Sequence, residues 1–120
     1  MRNILLVIFL LNITAICAQD VKCDDLQSFI IKNGYYKASL SSISLDSEWL
    51  YEVKAYTYKS KIYVVAKIKP KKYSYQTKSY VFCGIPNQNW SSFQHSGYGD
   101  SSSYGERFHK YIMDYVCDCR

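Results

Sequence analysis

The sequence predicts an α+β domain: a three-stranded antiparallel sheet followed by two short helices, with a further helix on the N-terminal side and disulfides holding the parts together. Three observations carry that expectation. Hydrophobic residues alternate with polar ones between Trp49 and Ile85, the period of half-buried strands. Apolar residues recur at helical spacing before and after that region, at Leu26, Phe29 and Ile30 and again at Tyr104, Phe108, Ile112 and Val116. Once an apolar leader is set aside, the cysteines are even in number.

The leader comprises residues 1–18. Arg2 supplies a short positive region, Ile4 to Leu11 an unbroken apolar core, and Ala18 a small residue at the expected cut, the pattern of a secretory signal peptide. Ile4 to Ala18 is shorter than the roughly 20 apolar residues that a bilayer-spanning helix needs, and Asn12 and Thr14 interrupt it. Ile16 before Cys17 departs from the small residue expected at a lipoprotein cleavage site. Residues 19–120 are therefore expected as a single mature domain, exported to a periplasm or secreted, with no transmembrane segment in the mature chain.

A chain of about a hundred residues buries a modest core and gains from covalent reinforcement. Of the five cysteines one lies in the leader, leaving Cys23, Cys83, Cys117 and Cys119. In an exported chain these read as two disulfides. Cys117 and Cys119 stand two apart, unfavourable for a bond between them, so one is expected to join Cys23 and the other Cys83. A zinc site is disfavoured, since no CxxC pair occurs and no His lies beside the terminal cysteines. No cofactor is expected.

Along the mature chain, Asp24 and Asp25 suit a helix N-terminus and Asn33-Gly34 its end. The serine-rich "KASLSSISLDSE" has no strong period and reads as a connector entering the sheet. In "WLYEVKAYTY" Trp49, Tyr51, Val53 and Ala55 form one face; in "KIYVVAKIK" Ile62, Val64, Ala66 and Ile68 do the same, with a tight turn at Lys59-Ser60 that lacks the favoured glycine. Pro70 ends the second strand. "KSYVFCGI" forms the third, with Val81, Cys83 and Ile85 expected on one face and Tyr80 and Phe82 on the other, ended by Gly84 and Pro86. Trp90 and Phe93 then fall three apart on a short helix, and Ser103 stands three before Glu106, a capping-box spacing that opens the last helix.

Charge marks the candidate binding face. The whole chain carries +5, and the mature chain +4 once Arg2 is removed. Between Val53 and Gly99 lie Lys54, Lys59, Lys61, Lys67, Lys69, Lys71, Lys72 and Lys78, with no acidic residue. One-sign charge on one hairpin is the footprint of a polyanion partner. Strand parity places Lys54, Tyr56, Tyr58, Tyr63, Lys67, Lys69, Lys78, Tyr80 and Phe82 opposite the apolar face, where lysines would follow phosphates and aromatics stack on bases. A solvated sheet face explains the same composition, because Tyr suits strands and Lys blunts edges.

The stretch "YVFCGIPNQNWSSFQHSGYGDSSSYGERFHKYI" resembles the KTSC domain family. Tyr80, Phe82, Gly84, Ile85, Pro86, Trp90, Phe93, Gly97 and Phe108 occupy matching places, and "SEWLYEVKAY" is similar to the family's opening strand, so the likeness covers residues 47–112. It implies three antiparallel strands followed by helices, in a domain that occurs alone or at the C-terminus of some lysyl-tRNA synthetases, with RNA as the suggested ligand. This chain departs from the pattern by its leader, its N-terminal helix, a longer loop at Pro70 to Thr77 and its cysteines, and export would take it away from tRNA. The corner at Gly84 to Pro86 then reads as a fold determinant, with Gly84 permitting close approach and Trp90 covering the core.

The expected role is a binding or interaction module for nucleic acid or another polyanion. A protein-binding module or exported inhibitor using the tyrosine-rich surface is the first alternative. The second is a small secreted ribonuclease with His95 and His109 as acid and base and a lysine on the phosphorane, or Glu106, Arg107 and His109 in a variant of that chemistry. No motif fixes those groups against one another, no phosphate-binding glycine loop is present, and no catalytic residue is assigned.

Overall fold

The structure is a computed structural model that describes residues 22–71 and 75–119. The expected signal peptide, residues 1–18, lies outside them, as does Lys72. The chain runs α1 (Cys23–Asn33), β1 (Tyr35–Leu40), α2 (Ser42–Leu45), β2 (Leu50–Tyr58), β3 (Lys61–Ile68), β4 (Lys78–Ile85), α3 (Asn87–Gln94), α4 (Tyr104–Tyr111) and a 3-10 turn at Met113–Tyr115. It is an α+β fold in three layers, with α1 on one face of the sheet and α2, α3 and α4 on the other. No helix among the described residues is long and apolar enough to cross a membrane.

The sheet has four antiparallel strands in the order β1-β2-β3-β4, one more than the sequence predicts. The additional strand is β1, at the start of the segment read as a connector. It pairs with β2 from Tyr35↔Thr57 to Leu40↔Val53, with a bulge between Tyr36 and Ala38. As an edge strand it has one neighbour and buries little; Ala38 and Leu40 lean on the core while Tyr35 and Tyr36 stay in solvent. Small and polar residues such as Ala38 and Ser39 therefore suffice where a central strand would need β-branched ones.

The main core gathers Val53, Ala55, Ile62, Val64, Ala66, Phe82 and Ile85 from the sheet, Leu45 and Leu50 from its entry, and Trp90, Phe93, Phe108 and Ile112 from the helices. Aromatic rings meet edge to face across it, Phe82 with Phe108 at 5.2 Å and Phe93 with Phe108 at 5.7 Å between centroids. Such pairs contribute about 0.5–1.5 kcal/mol each beyond burial. On the other face, Ile30 of α1 packs with Tyr56, Val65, Val81 and Cys117 in a smaller cluster. Glycine is required at position 34 by space: a Cβ there would come within 2.7 Å of the Ile30 carbonyl and 3.1 Å of the Tyr56 Cβ. Gly34 itself is extended, with φ −77°, so α1 ends without a left-handed cap.

The β2–β3 turn uses Lys59 and Ser60, both left-handed at φ 48° and 65°. This is the backbone of the tight hairpin turn whose hand matches strand twist, here adopted without glycine.

A bulge in β4 overturns the parity expected for that strand. The pairs Ile62↔Ile85 and Val64↔Phe82 leave β4 one residue longer than β3 between them. Gly84 absorbs the offset at φ 64°, and a Cβ there would meet nothing within 4 Å, so backbone conformation and not close approach is its role. In consequence Phe82 and Ile85 both face the main core. Val81 and Cys83 face α1 instead.

Ser103 caps α4, its Oγ accepting from the Glu106 N–H at 3.3 Å. The expected stripe holds through Ile112 and then breaks. Val116 lies beyond the 3-10 turn, 57% exposed, bridged to Phe82, while the Cys117 N–H donates to the Val81 carbonyl at 3.0 Å. The two disulfides are Cys23–Cys119 and Cys83–Cys117, so the closing segment is tied to α1 and to β4.

Candidate polyanion-binding surface

The residues that parity assigned to one platform divide between the two faces of the sheet. Lys54, Tyr56, Tyr58, Tyr63 and Lys67 share the face toward α1, as the pairs Lys54↔Val65, Tyr56↔Tyr63 and Glu52↔Lys67 require. That face is largely taken: Tyr56 is buried, Tyr58 stands edge-on to Phe29 of α1 at 5.1 Å, and Tyr63 packs on the same cluster. Lys54 and Lys67 both reach Glu52, at 3.6 and 3.8 Å. Lys78, Tyr80 and Phe82 belong to the helix side, and Phe82 is buried in the main core. A continuous stacking platform across the sheet is thus not formed, because α1 covers one half and the β4 bulge turns Phe82 inward.

What the fold does gather is a rim at one end of the sheet. Leu50, Ile68 and Lys78 form one cross-strand row, and the Lys69 N–H extends it by donating to the Trp49 carbonyl at 2.8 Å. Lys69 Nζ sits 5.5 Å from the centre of the Tyr51 ring, and Lys78 Nζ 5.3 Å from that of Tyr80. Tyr51, Lys71, Lys78 and Tyr80 are exposed and Lys69 half-buried. Glu48 and Glu52 are the acids near this rim in sequence. Each lysine–tyrosine pair offers a charge and a ring face together, the combination that single-stranded polyanions use.

The alternation places Tyr51 on the inward face with Val53, whereas the structure leaves it exposed at the rim. A bulge between Leu50 and Glu52 moves it out and lets Leu50 occupy the core. Two adjacent large apolar residues at the start of the strand, Leu50 and Tyr51, are the signal that one of them must turn away.

A polar cleft of about 280 Å³ lies between α3 and α4, lined by Ser91, Ser92, His95, Tyr98, Asp100, Lys110 and Tyr111 among others. Asp100 accepts from the Tyr111 hydroxyl at 2.6 Å, from the Ser101 N–H at 2.9 Å and from Lys110 at 3.4 Å. The Tyr111 hydrogen bond leads in holding the Asp100 carboxyl below its ordinary range; partial desolvation opposes it, and Ser101 and Lys110 reinforce it. Lys110 is raised, by Tyr111 first and then by Asp100. A depressed carboxylate contributes stability above its unfolded pKa and loses it as pH falls through the folded value. The Asp100 contact is therefore expected to loosen only below the usual Asp range. NMR titration of the Ser101 amide should show that low midpoint, and Tyr111→Phe should move it upward; an identical midpoint in both proteins would contradict the assignment.

The groups of the ribonuclease alternative do not share this cleft. His95 lines it with Lys110, whereas the His109 ring lies against Trp49, centroids 4.8 Å apart. Arg107 is buried and structural: its Nε donates to the Phe93 carbonyl at 3.0 Å, an Nη to the Ser101 carbonyl at 2.9 Å, and the guanidinium covers the Tyr104 ring at 4.4 Å. Phe93 lies at the C-terminal end of α3, where unpaired carbonyls favour a cation. Glu106 is exposed and belongs to the helix cap. Among the described residues no cluster of His, Cys, Asp and Glu is arranged to hold a metal ion.

Compared with protein-family models, curated proteins and solved structures, the sequence matches none.

Proposed function

We propose that this protein is an exported binding module that engages a polyanion, such as single-stranded nucleic acid or an acidic surface polymer, through the Lys and Tyr rim at the Tyr51 to Lys69 to Lys78 end of the sheet. The observation that carries the reading is the placement of Lys69 against the Tyr51 ring and of Lys78 against the Tyr80 ring at one end of the sheet. Lysines in this arrangement attract a phosphate backbone and the rings stack, while few groups are placed to read base edges, so binding is weakly sequence-dependent. The leader at residues 1–18 and the disulfides support export, because such bonds persist in oxidising compartments. A KTSC-like reading of residues 47–112 would favour a nucleic-acid class of ligand, and export would widen it to other polyanions.

Fluorescence anisotropy of a labelled single strand across a salt series tests the proposal. Each phosphate-neutralising lysine contributes about 0.7 to the salt slope on a single strand. Lys69→Gln with Lys78→Gln should weaken binding and flatten the slope by roughly 1.4. Tyr80→Ala should weaken binding with little change in slope. Absence of binding at low salt would remove the reading, and tighter binding to heparin would reduce it to charge without stacking.

A further inference from the structure

Beside the rim, Ile68, Tyr80, Met113 and Val116 wall a groove of about 390 Å³ with Phe82 at its base. Phe82 is 1% exposed, whereas Tyr80 is 36% and Val116 57% exposed, so the walls stand in solvent over a fixed floor. Isolated apolar residues on a surface need no explanation; several around one concavity mark a place that is covered by something apolar. The volume lies within the range of small-molecule sites.

The chemistry of the lining limits the occupant. Apart from the Tyr80 hydroxyl, every lining side chain is apolar. A nucleobase lodged there would leave its ring nitrogens and carbonyls without partners, a costly burial. Hydrocarbon meets no such cost. Next to two of these walls is Lys78, exposed, paired with Ile68 across the strands and with its ammonium over the Tyr80 ring at 5.3 Å. An apolar groove beside a cation fits a molecule with an apolar chain and an anionic head. The walls are also preformed: Val116 is bridged to Phe82, and the next residue, Cys117, is bonded to Cys83 and donates to the Val81 carbonyl at 3.0 Å. A rigid site loses little conformational freedom when it fills.

We propose that this groove binds the hydrocarbon chain of a free anionic amphiphile, a medium- to long-chain carboxylate, with Lys78 at its head. The site goes beyond the polyanion reading and shares with it Lys78 and the Tyr80 ring.

The test is an NMR titration of the intact oxidised protein with octanoate, decanoate and dodecanoate, each below its micelle concentration. Shifts should centre on Ile68, Tyr80, Met113 and Val116, and affinity should rise about fourfold per added methylene until the groove is filled. Val116→Asn changes an exposed residue without changing charge and should abolish this chain-length dependence while leaving the salt slope of single-strand binding unchanged. If that variant fails to fold, Lys78→Gln gives an independent arm: dodecanoate should weaken about two- to fivefold and neutral decanol should not change. Equal affinity for all three carboxylates, shifts centred on the cleft between α3 and α4, or binding to anionic phosphatidylglycerol vesicles without binding to dissolved carboxylate would each overturn the proposal, whatever the result with oligonucleotides.

Discussion

Reduction of the two disulfides should release α1 from the sheet and unfold the protein at a denaturant concentration the oxidised form withstands. The bonds span 96 and 34 residues, and in the chain-entropy account closures of that size contribute about 5 and about 4 kcal/mol when each is taken alone. The loops are nested, so the joint effect is less than the sum, yet it remains comparable with the 5–15 kcal/mol typical of a whole domain. Eleven residues of α1 do not hold a helix unaided, and its anchorage is the small cluster of Ile30 with Tyr56, Val65 and Val81 beside the Cys23–Cys119 bond. Urea titration with and without reductant measures the loss. Cys23→Ser with Cys119→Ser should cost helical signal first and leave the β signal, because the sheet retains its other face. Thiol counting on denatured, unreduced protein should find none among the four cysteines; four reactive thiols, or midpoints indifferent to reductant, would refute the account.

Trp90→Ala should cost roughly 3–5 kcal/mol, the range for deleting a large buried aromatic, and lower the melting temperature by well over about 10 °C in a domain of this size. Trp90 is 2% exposed, packs on Phe93 with centroids 5.4 Å apart, and belongs to the main core. Its indole N–H is buried with no hydrogen-bond partner among the described residues. Trp90→Phe should therefore be far milder, since removing an unpaired donor offsets part of the lost volume. Thermal melts of the two variants separate a core role from a surface one: an unchanged melting temperature in Trp90→Ala would place this ring outside the core.

Much of the fold was legible because it rests on local periodicity. Val53, Ala55, Ile62, Val64 and Ala66 alternate cleanly and lie in the core, and Trp90, Phe93, Phe108 and Ile112 point inward as helical spacing predicts. The limits came from features without a period. Tyr35–Leu40 pairs at an edge and so carries no apolar code. The bulges at Leu50/Glu52 and Ile62/Val64 each shift a strand by one residue, and one residue exchanges its faces. Gly84 stands out in the sequence, but the reason is its positive φ and not a close approach. For the binding surface, the lysine block and the aromatics were visible, but their placement depended on parity across those bulges, and no linear pattern discloses that α1 covers Tyr56 and Tyr63. Arg107 was hidden in the same way, since its partners are carbonyls fourteen and six residues distant.

The plain order of the sheet has a consequence for how the chain reaches this state. Every strand neighbour in β1-β2-β3-β4 is also the next strand in sequence, so each pairing closes only a short stretch of chain and the meander can assemble hairpin by hairpin at little entropic cost. The turn at Lys59 and Ser60 makes β2–β3 the shortest of these closures. The longest closure lies at the seam where α1 meets the closing segment, sealed by Cys23–Cys119 across 96 residues. Folding should then divide in time, with a fast collapse of the sheet and the helices of its main core followed by the slower docking of α1 as its seam is oxidised, so that the pace of maturation is set by thiol chemistry and not by the search for topology.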